Sequence, residues 1–493
     1  MKKAMKKLMA ALLVVAMVCA MAIPAFAADG GAGTYTITIS NPVGTYEAYQ
    51  IFSGKLNGQV LSNIDWGTGV SNAVETALGS AKDKAKTLNN EDAAKNFATE
   101  VSNYLDTPSG TYDTTTGKIT GLTAGYYLVK NSYVGENETY TSFILAVVND
   151  VTVSPKSDKP TLEKKVKDAN DTAGSISNWQ DSADHDIDDD VPFKLTAKIA
   201  NNFADYSTYK FVFHDKQSDG LTFKPETVEV TVGGNKLTDT QYTVDTDTDD
   251  DCTFHVVIED LKKISGAAAD AEVVVEYKST LNKNAKIGSE GNPNVAYLEY
   301  SNNPHVTSST TNTPDDKVTV FTFKVVANKT NGADKQLLSG AAFALFKKGS
   351  DSSWNLVSLN NATESGGVYT IEHPDQTTFE WVGLDDGEYM IKEIITPAGF
   401  NTIADQTFTV TAIHDTNSDD PQLTTLSGNK VIGEIAFSAD KDSGSLTTTI
   451  ENNAGTTLPG TGGIGTTIFY VIGGGLMAAA AILLITKKRM ENR

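Results

Sequence analysis

Short runs with an apolar residue at every second position, separated by turn signals, recur along this 493-residue chain. Tyr35-Thr36-Ile37-Thr38-Ile39 alternates cleanly, and Val191-Pro192-Phe193-Lys194-Leu195 does so again. Further strand-like runs are Gly125-Tyr126-Tyr127-Leu128-Val129, Phe143-Ile144-Leu145-Ala146-Val147-Val148, Phe211-Val212-Phe213 and Val273-Val274-Val275. A period of two sends side chains to opposite faces, so such runs build sheets. Regular short strands with turns between them point to β-sandwiches. One stretch departs from this: Val74 and Leu78, then Ala93, Phe97, Val101 and Leu105, recur mostly at spacings of four, the period of a helix face. There is no solenoid-type period. Hydrophobic residues are 40% of the chain, enough for each of about three domains to hold a core.

Two proline-containing polar stretches divide the chain. Ser154-Pro155-Lys156-Ser157-Asp158-Lys159-Pro160 is the first and Ser308-Ser309-Thr310-Thr311-Asn312-Thr313-Pro314 the second. The expected blocks are therefore 28–157, 158–315 and 316–456, between a leader (1–27) and a tail (457–493). The leader reads as a secretory signal. Lys2, Lys3, Lys6 and Lys7 are followed by an apolar stretch from Leu8 to Ile23 and by the small-x-small site Ala25-Phe26-Ala27, so the mature chain is expected to start at Ala28. The tail has three parts: Leu458-Pro459-Gly460-Thr461-Gly462, an apolar stretch from Ile464 to Ile485 long enough to span a bilayer, and Lys487-Lys488-Arg489. The basic cluster is expected to hold the C-terminus in the cytoplasm.

Charge and cysteine narrow the function classes. With 40 basic and 62 acidic residues the net charge is −22; removing both ends leaves 32 against 61, a net of −29 over residues 28–461. Such a surface repels phosphates and argues against nucleic acid as a partner. The 2 cysteines are Cys19, in the leader, and Cys252. An exported chain with one remaining thiol has no internal disulfide, so any covalent stapling must come from other chemistry.

The tail resembles the sortase cell-wall sorting signal of Gram-positive bacteria, with its LPxTG motif, span and positive end. The resemblance implies cleavage between Thr461 and Gly462, with the Thr461 carbonyl held as a thioester and then passed to an amine. The third block resembles the CnaB-type domain of Gram-positive surface proteins. The pieces that carry this are Lys329, on a strand face with Phe321, Phe323, Val325 and Ala327; the Gly387-Glu388-Tyr389-Met390-Ile391-Lys392-Glu393 box followed by Pro397-Ala398-Gly399-Phe400; and Asn452, on a face with Leu446, Thr448 and Ile450. In that family Lys and Asn join in an intramolecular isopeptide bond assisted by Glu. The physics fits: burial favours a neutral, nucleophilic lysine and a protonated carboxyl.

The middle block resembles the CnaA-like, isopeptide-forming second domain of fimbrial subunits. Lys164 shares a face with Leu162 and Val166; Asn294 shares one with Ala296, Leu298 and Tyr300; Asp215, on the face of Phe211 and Phe213, is the candidate acid. Lys165, Asn302 and Asp190 are the fallbacks. Lys156 follows Val151-Thr152-Val153-Ser154-Pro155 and resembles the pilin-motif lysine of sortase-assembled major pilins, although Ser154 and Ser157 stand where that motif has Tyr and Asn. The fold implied is mainly β: tandem immunoglobulin-like sandwiches, the first with an inserted helical segment, plus a transmembrane helix in the precursor.

The function this implies is a major pilus subunit, polymerised by a pilus-type sortase through a Thr461 carbonyl to Lys156 amine bond and anchored to peptidoglycan. Its partners would be copies of itself, minor pilins and a host receptor. A monomeric LPxTG wall-anchored adhesin is the alternative, and a wall hydrolase would need two acids in catalytic register, which are not visible. No enzyme activity is expected beyond autocatalytic isopeptide formation, and no cofactor. Asp245, Asp247, Asp249, Asp250 and Asp251 lack the EF-hand glycine and closing glutamate, so they read as a solvated turn. The six histidines show no paired-ligand spacing, and Cys252 reads as a small core or strand residue; no metal site is expected.

Overall fold

A computed structural model describes residues 34–88, 91–135, 138–155 and 158–455. The leader, Lys156, the Leu458–Gly462 pentapeptide and the apolar C-terminal stretch lie outside the described residues. Three sandwiches follow one another along the chain, each closing over its own core.

The first sandwich packs a three-stranded sheet (Lys118–Leu122, Tyr35–Ile39, Val151–Val153) on a larger one built around Thr45–Asn57 and Gly125–Tyr133. The larger sheet is buried on both faces. Tyr127 and Val129 join Ile37, Ile39 and Ile119 on one side, while Leu128 meets Val74, Phe97 and Val101 on the other. Continuous apolar runs at 125–129 and 143–148 follow from that double burial. The second face is covered by three helices, Ala73–Leu78, Ala81–Thr87 and Glu91–Ser102. Leu105, at the end of the four-residue pattern, is past the last helix and bridges Val70 instead.

The second sandwich sets a five-stranded sheet (order Asn235–Lys236, Leu221–Val232, Glu272–Leu281, Asp190–Lys198, Thr161–Val166) against a seven-stranded one. In the latter, Asp316–Phe321, Asn292–Ser301, Phe211–Gln217 and Phe254–Ile258 are successive neighbours. The third pairs a four-stranded sheet (Thr378–Leu384, Phe323–Asn331, Ser445–Asn452, Ser438–Asp440) with a five-stranded one.

The strand Asp316–Phe321 belongs by its hydrogen bonds to the second sandwich, where Asn294 pairs with Val318. The sequence reading had placed it in the third block, continuous with Phe323. The chain instead breaks strand at Thr322, and we place the junction between the two blocks there. Phe321 still packs with the third core, so the apolar alternation runs unbroken across a change of sheet.

The two sandwiches meet closely. Gly383 has φ +83, and a Cβ there would lie 2.4 Å from Ile187 Cδ1, so glycine alone allows the approach. Lys347 of the third sandwich donates to Asp171 (2.9 Å) and Asp186 (2.6 Å) of the second and pairs with its own Asp385 (2.5 Å). Burial alone would lower the Lys347 pKa; these carboxylates more than offset that and raise it. His414 meets Asp168 (3.6 Å) and Asp184 (3.5 Å) across the same junction, and although burial opposes its charge those acids push its pKa up to about 9.

Candidate functional site

In the second sandwich, Lys164 and Tyr277 come from the five-stranded sheet and Asp215 and Asn294 from the seven-stranded one. Lys164, Asp215 and Asn294 are each 0% exposed. The lysine Nζ donates to Asp215 Oδ2 at 2.5 Å and to Tyr277 Oη at 3.0 Å. Tyr277 Oη donates to the same carboxylate oxygen at 2.6 Å and accepts from Asn294 Nδ2 at 2.9 Å. One hydroxyl thus gathers the amine, the acid and the amide around itself. Asp215 Oδ1 and Asn294 Oδ1 are buried without hydrogen-bond partners.

Burial shifts both groups toward their uncharged forms. Burial lowers the Lys164 pKa despite the opposing pull of Asp215, and burial raises that of Asp215 despite Lys164. Moving the proton from amine to carboxyl along their shared hydrogen bond produces a nucleophilic amine and a protonated acid at once. Of the fallback residues, Lys165 pairs with Asp181 at 2.5 Å, Asp190 pairs with Lys224 on the surface, and Asn302 bonds to Glu138 and Ser309. The structure brings none of these three into the cluster. Tyr277 was missed in the sequence. Its signal was available, since it continues the buried face of Val273 and Val275.

The third sandwich solves the geometry differently. Phe323–Asn331 and Ser445–Asn452 are parallel neighbours in one sheet, with Lys329 opposite Ile450 and Asn452 two residues further along the same face. Glu393 reaches this pair from the facing sheet. Lys329 and Asn452 are 0% exposed and Glu393 is 5%. Asn452 Nδ2 donates to both carboxylate oxygens of Glu393 at 3.0 Å and to the Asn401 carbonyl at 2.8 Å, and Asn452 Oδ1 has no partner. The Asn401 carbonyl is delivered by the turn after Pro397. Phe400 N–H closes that turn on the Pro397 carbonyl at 3.1 Å, and Gly399 takes φ +87, where a side chain is strained. Ile403 N–H (3.0 Å) and the Thr396 hydroxyl (3.1 Å) hold Glu393 in place.

Lys329 Nζ donates to the carbonyls of Thr330 (3.1 Å) and Ile450 (3.2 Å). Burial brings its pKa down to about 8, with Glu393 opposing. Roughly a tenth of the amine is therefore neutral at pH 7, far more than for an ordinary lysine. Both clusters can support the same chemistry, attack of an uncharged amine on an asparagine carboxamide beside a carboxyl that can relay the proton.

Three family models match the chain. Residues 187–304 match the Gram-positive pilin backbone subunit 2, Cna-B-like domain, where the residues had suggested a CnaA-like one. Residues 323–425 match the SpaA prealbumin-like fold domain, and 450–492 match the LPXTG cell wall anchor motif. The trypsin-resistant surface T6 protein of Streptococcus pyogenes serotype M6 is 24% identical over 322 residues, an alignment spanning 60% of this chain and 54% of that relative. The structure of the T6 backbone pilin of serotype M6 S. pyogenes, described as a modular three-domain structure, superposes with a TM-score of 0.55 at 18% identity. It covers 86% of this chain and 98% of the T6 chain, which establishes a shared fold. The matched domain families are structural pilus subunits rather than enzymes. The chain therefore carries a pilin-backbone Cna-B-like domain, a prealbumin-like domain and an LPXTG cell wall anchor motif, the domain set of cell-wall-anchored surface pilins of Gram-positive bacteria.

Proposed function

We propose that this chain is the shaft-forming subunit of a covalent pilus, stapled internally by two isopeptide bonds. The observation that carries the reading is the combination of an LPXTG anchor with two sandwiches that each bury a lysine, an asparagine and a carboxyl together. An isolated buried trio of this kind is costly, and reaction removes the cost by making a neutral amide. In each reaction the lysine Nζ bonds to the asparagine Cγ, the Cγ–Nδ2 bond breaks, and one amine proton passes through the carboxyl to the departing ammonia. Glu393→Gln keeps the shape of the acid without its proton relay. The mature chain carrying it is expected to weigh one ammonia more than wild type once the substitution itself is allowed for. Intact-mass spectrometry measures this, and an unchanged ammonia count would exclude Glu393 from the step.

For assembly, a pilus-type sortase cleaves after Thr461, and its cysteine holds the Thr461 carbonyl as a thioester. The Lys156 amine of another copy displaces that thiol, forming an amide. Repetition builds a head-to-tail fibre, a heterologous contact that does not close. The final subunit passes to peptidoglycan, minor pilins join the same chemistry, and the fibre presents the surface that meets a host receptor. Val151–Val153, the strand that precedes Lys156 in the sequence, lies at the edge of its three-stranded sheet. Lys156→Ala in the native host is expected to abolish the high-mass ladder of wall-released protein on gels. A ladder of unchanged length would remove Lys156 from the linkage, and a wild type with no ladder would favour the monomeric adhesin.

A further inference from the structure

Four residues that the polymer chemistry does not use come together on the outer face of the seven-stranded sheet. His214 and His255 are direct partners on adjacent antiparallel strands, with ring centroids 4.1 Å apart. His214 also stacks on Tyr297 of the next strand, at 4.4 Å and 10°. The acidic turn between Thr243–Asp245 and Phe254–Ile258 folds back over this row. It brings Asp250 and Cys252 to the two imidazoles. One donor atom from each of the four lies within 4.8 Å of all the others. Both histidines are more than nine-tenths buried although they face out of the sheet.

We propose that His214, Asp250, Cys252 and His255 bind a zinc ion. Asp250 lies 3.2 Å from His214 Nδ1 and 3.1 Å from His255 Nε2. A tetrahedral zinc with bonds of about 2.0–2.2 Å to nitrogen and oxygen places neighbouring donors about 3.3 Å apart, so these spacings already match two edges of the polyhedron. Two imidazoles, a thiolate and a carboxylate are the donor set of a borderline-soft ion and not of calcium or magnesium. Four protein donors leave no open position, which makes the site structural rather than catalytic.

The surroundings support the assignment. His214 Nε2 lies 3.3 Å from Glu299 Oε2, and Lys210 holds Glu299 at 3.2 Å. When zinc is bound, Nε2–H can donate to Glu299 while Nδ1 takes the ion. Carboxylates in this position orient metal-bound histidines. Cys252 Sγ is within 3.9 Å of Tyr297 Oη, and zinc binding displaces the thiol proton to solvent. The ion would clip the 245–252 turn onto the sheet, joining segments that no sequence spacing links.

The test uses the full chain purified in detergent, stripped with chelator and titrated with Zn²⁺, with Ca²⁺ as a control. One Zn²⁺ per chain is expected, without competition from Ca²⁺. Co²⁺ substitution should give a thiolate charge-transfer band in the near ultraviolet, and Cys252→Ser should abolish it and weaken Zn²⁺ at least 10-fold. Glu299→Gln should weaken binding about 10-fold, the usual effect of removing a carboxylate behind a ligating histidine. Circular dichroism checks that each variant keeps its strands, and Cys252, being half-buried, is the substitution least able to disturb the fold. The site is overturned if less than one equivalent of Zn²⁺ binds, if no charge-transfer band appears with Co²⁺, or if the His214→Gln/His255→Gln double variant binds Zn²⁺ as tightly as wild type.

Discussion

Replacing Asp215 with alanine is expected to destabilise the second sandwich by more than about 5 kcal/mol and to leave it one ammonia heavier than its stapled form. Two effects combine. The Lys164–Asn294 staple closes a loop of about 130 residues, which by analogy with a disulfide contributes roughly 4–5 kcal/mol through the unfolded state. Losing the acid also leaves the Lys164 amine, in a side chain that is 0% exposed, with Tyr277 as its one remaining hydrogen-bond partner among the described residues. An unreacted buried amine that has lost this partner costs about 1–3 kcal/mol more, the penalty of an under-satisfied buried polar group. Lys164→Met also loses the staple, but it fills the space of the lysine and leaves Asp215, whose pKa burial raises, hydrogen-bonded to Tyr277. The melting temperature should therefore fall further for Asp215→Ala than for Lys164→Met. Should Asp215→Ala fail to fold, the isosteric Asp215→Asn still reports on the staple by mass. Full ammonia loss in Asp215→Asn would sink the role given to the acid, and equal melting of the two substitutions would sink the argument from the stranded amine.

The second large effect is expected at the junction between the second and third sandwiches. Lys347→Met should lower the melting of the third sandwich by about 10 °C, corresponding to about 3–5 kcal/mol for a block of this size. The reason is local: Lys347 and Asp385 are 7% and 0% exposed and Asp186 beside them is 20% exposed, so the substitution leaves a buried and a largely buried carboxylate without their shared cation. Asp171, the third acid on this lysine, is 55% exposed, and Asp171→Ala should cost no more than about 1 kcal/mol. Differential scanning calorimetry of the two variants decides the matter. If both shift the transition equally, the network acts as surface charge and the junction is held by its backbone contacts, such as Asp181 N–H to Thr416 O and Ile187 N–H to Gly383 O.

The β class was legible in the chain because it depends on a local period, and the resemblance to isopeptide-forming domains pointed to the residues of both buried trios. Lys164, Asn294, Lys329 and Asn452 are polar residues on otherwise apolar strand faces, and a face is a property of a few consecutive residues. What period two cannot specify is which sheet a strand joins. The second trio spans two sheets while the third block places its lysine and asparagine on parallel neighbours in one, and the alternation around the four residues is the same in both. The strand Asp316–Phe321 was misassigned for the same reason, since its alternation continues into Phe323 while its hydrogen bonds run to Asn292–Ser301.

The sequence by itself determined the strand-rich class and the anchoring tail, because local period and motif order carry that information. Only the tertiary structure decided that Tyr277 stands among amine, acid and amide, that Lys347 locks two sandwiches, and that residues 214, 250, 252 and 255 meet. Those contacts join positions far apart in the chain, or on different strands, and sheet order, which no local pattern encodes, is what brings them within bonding distance.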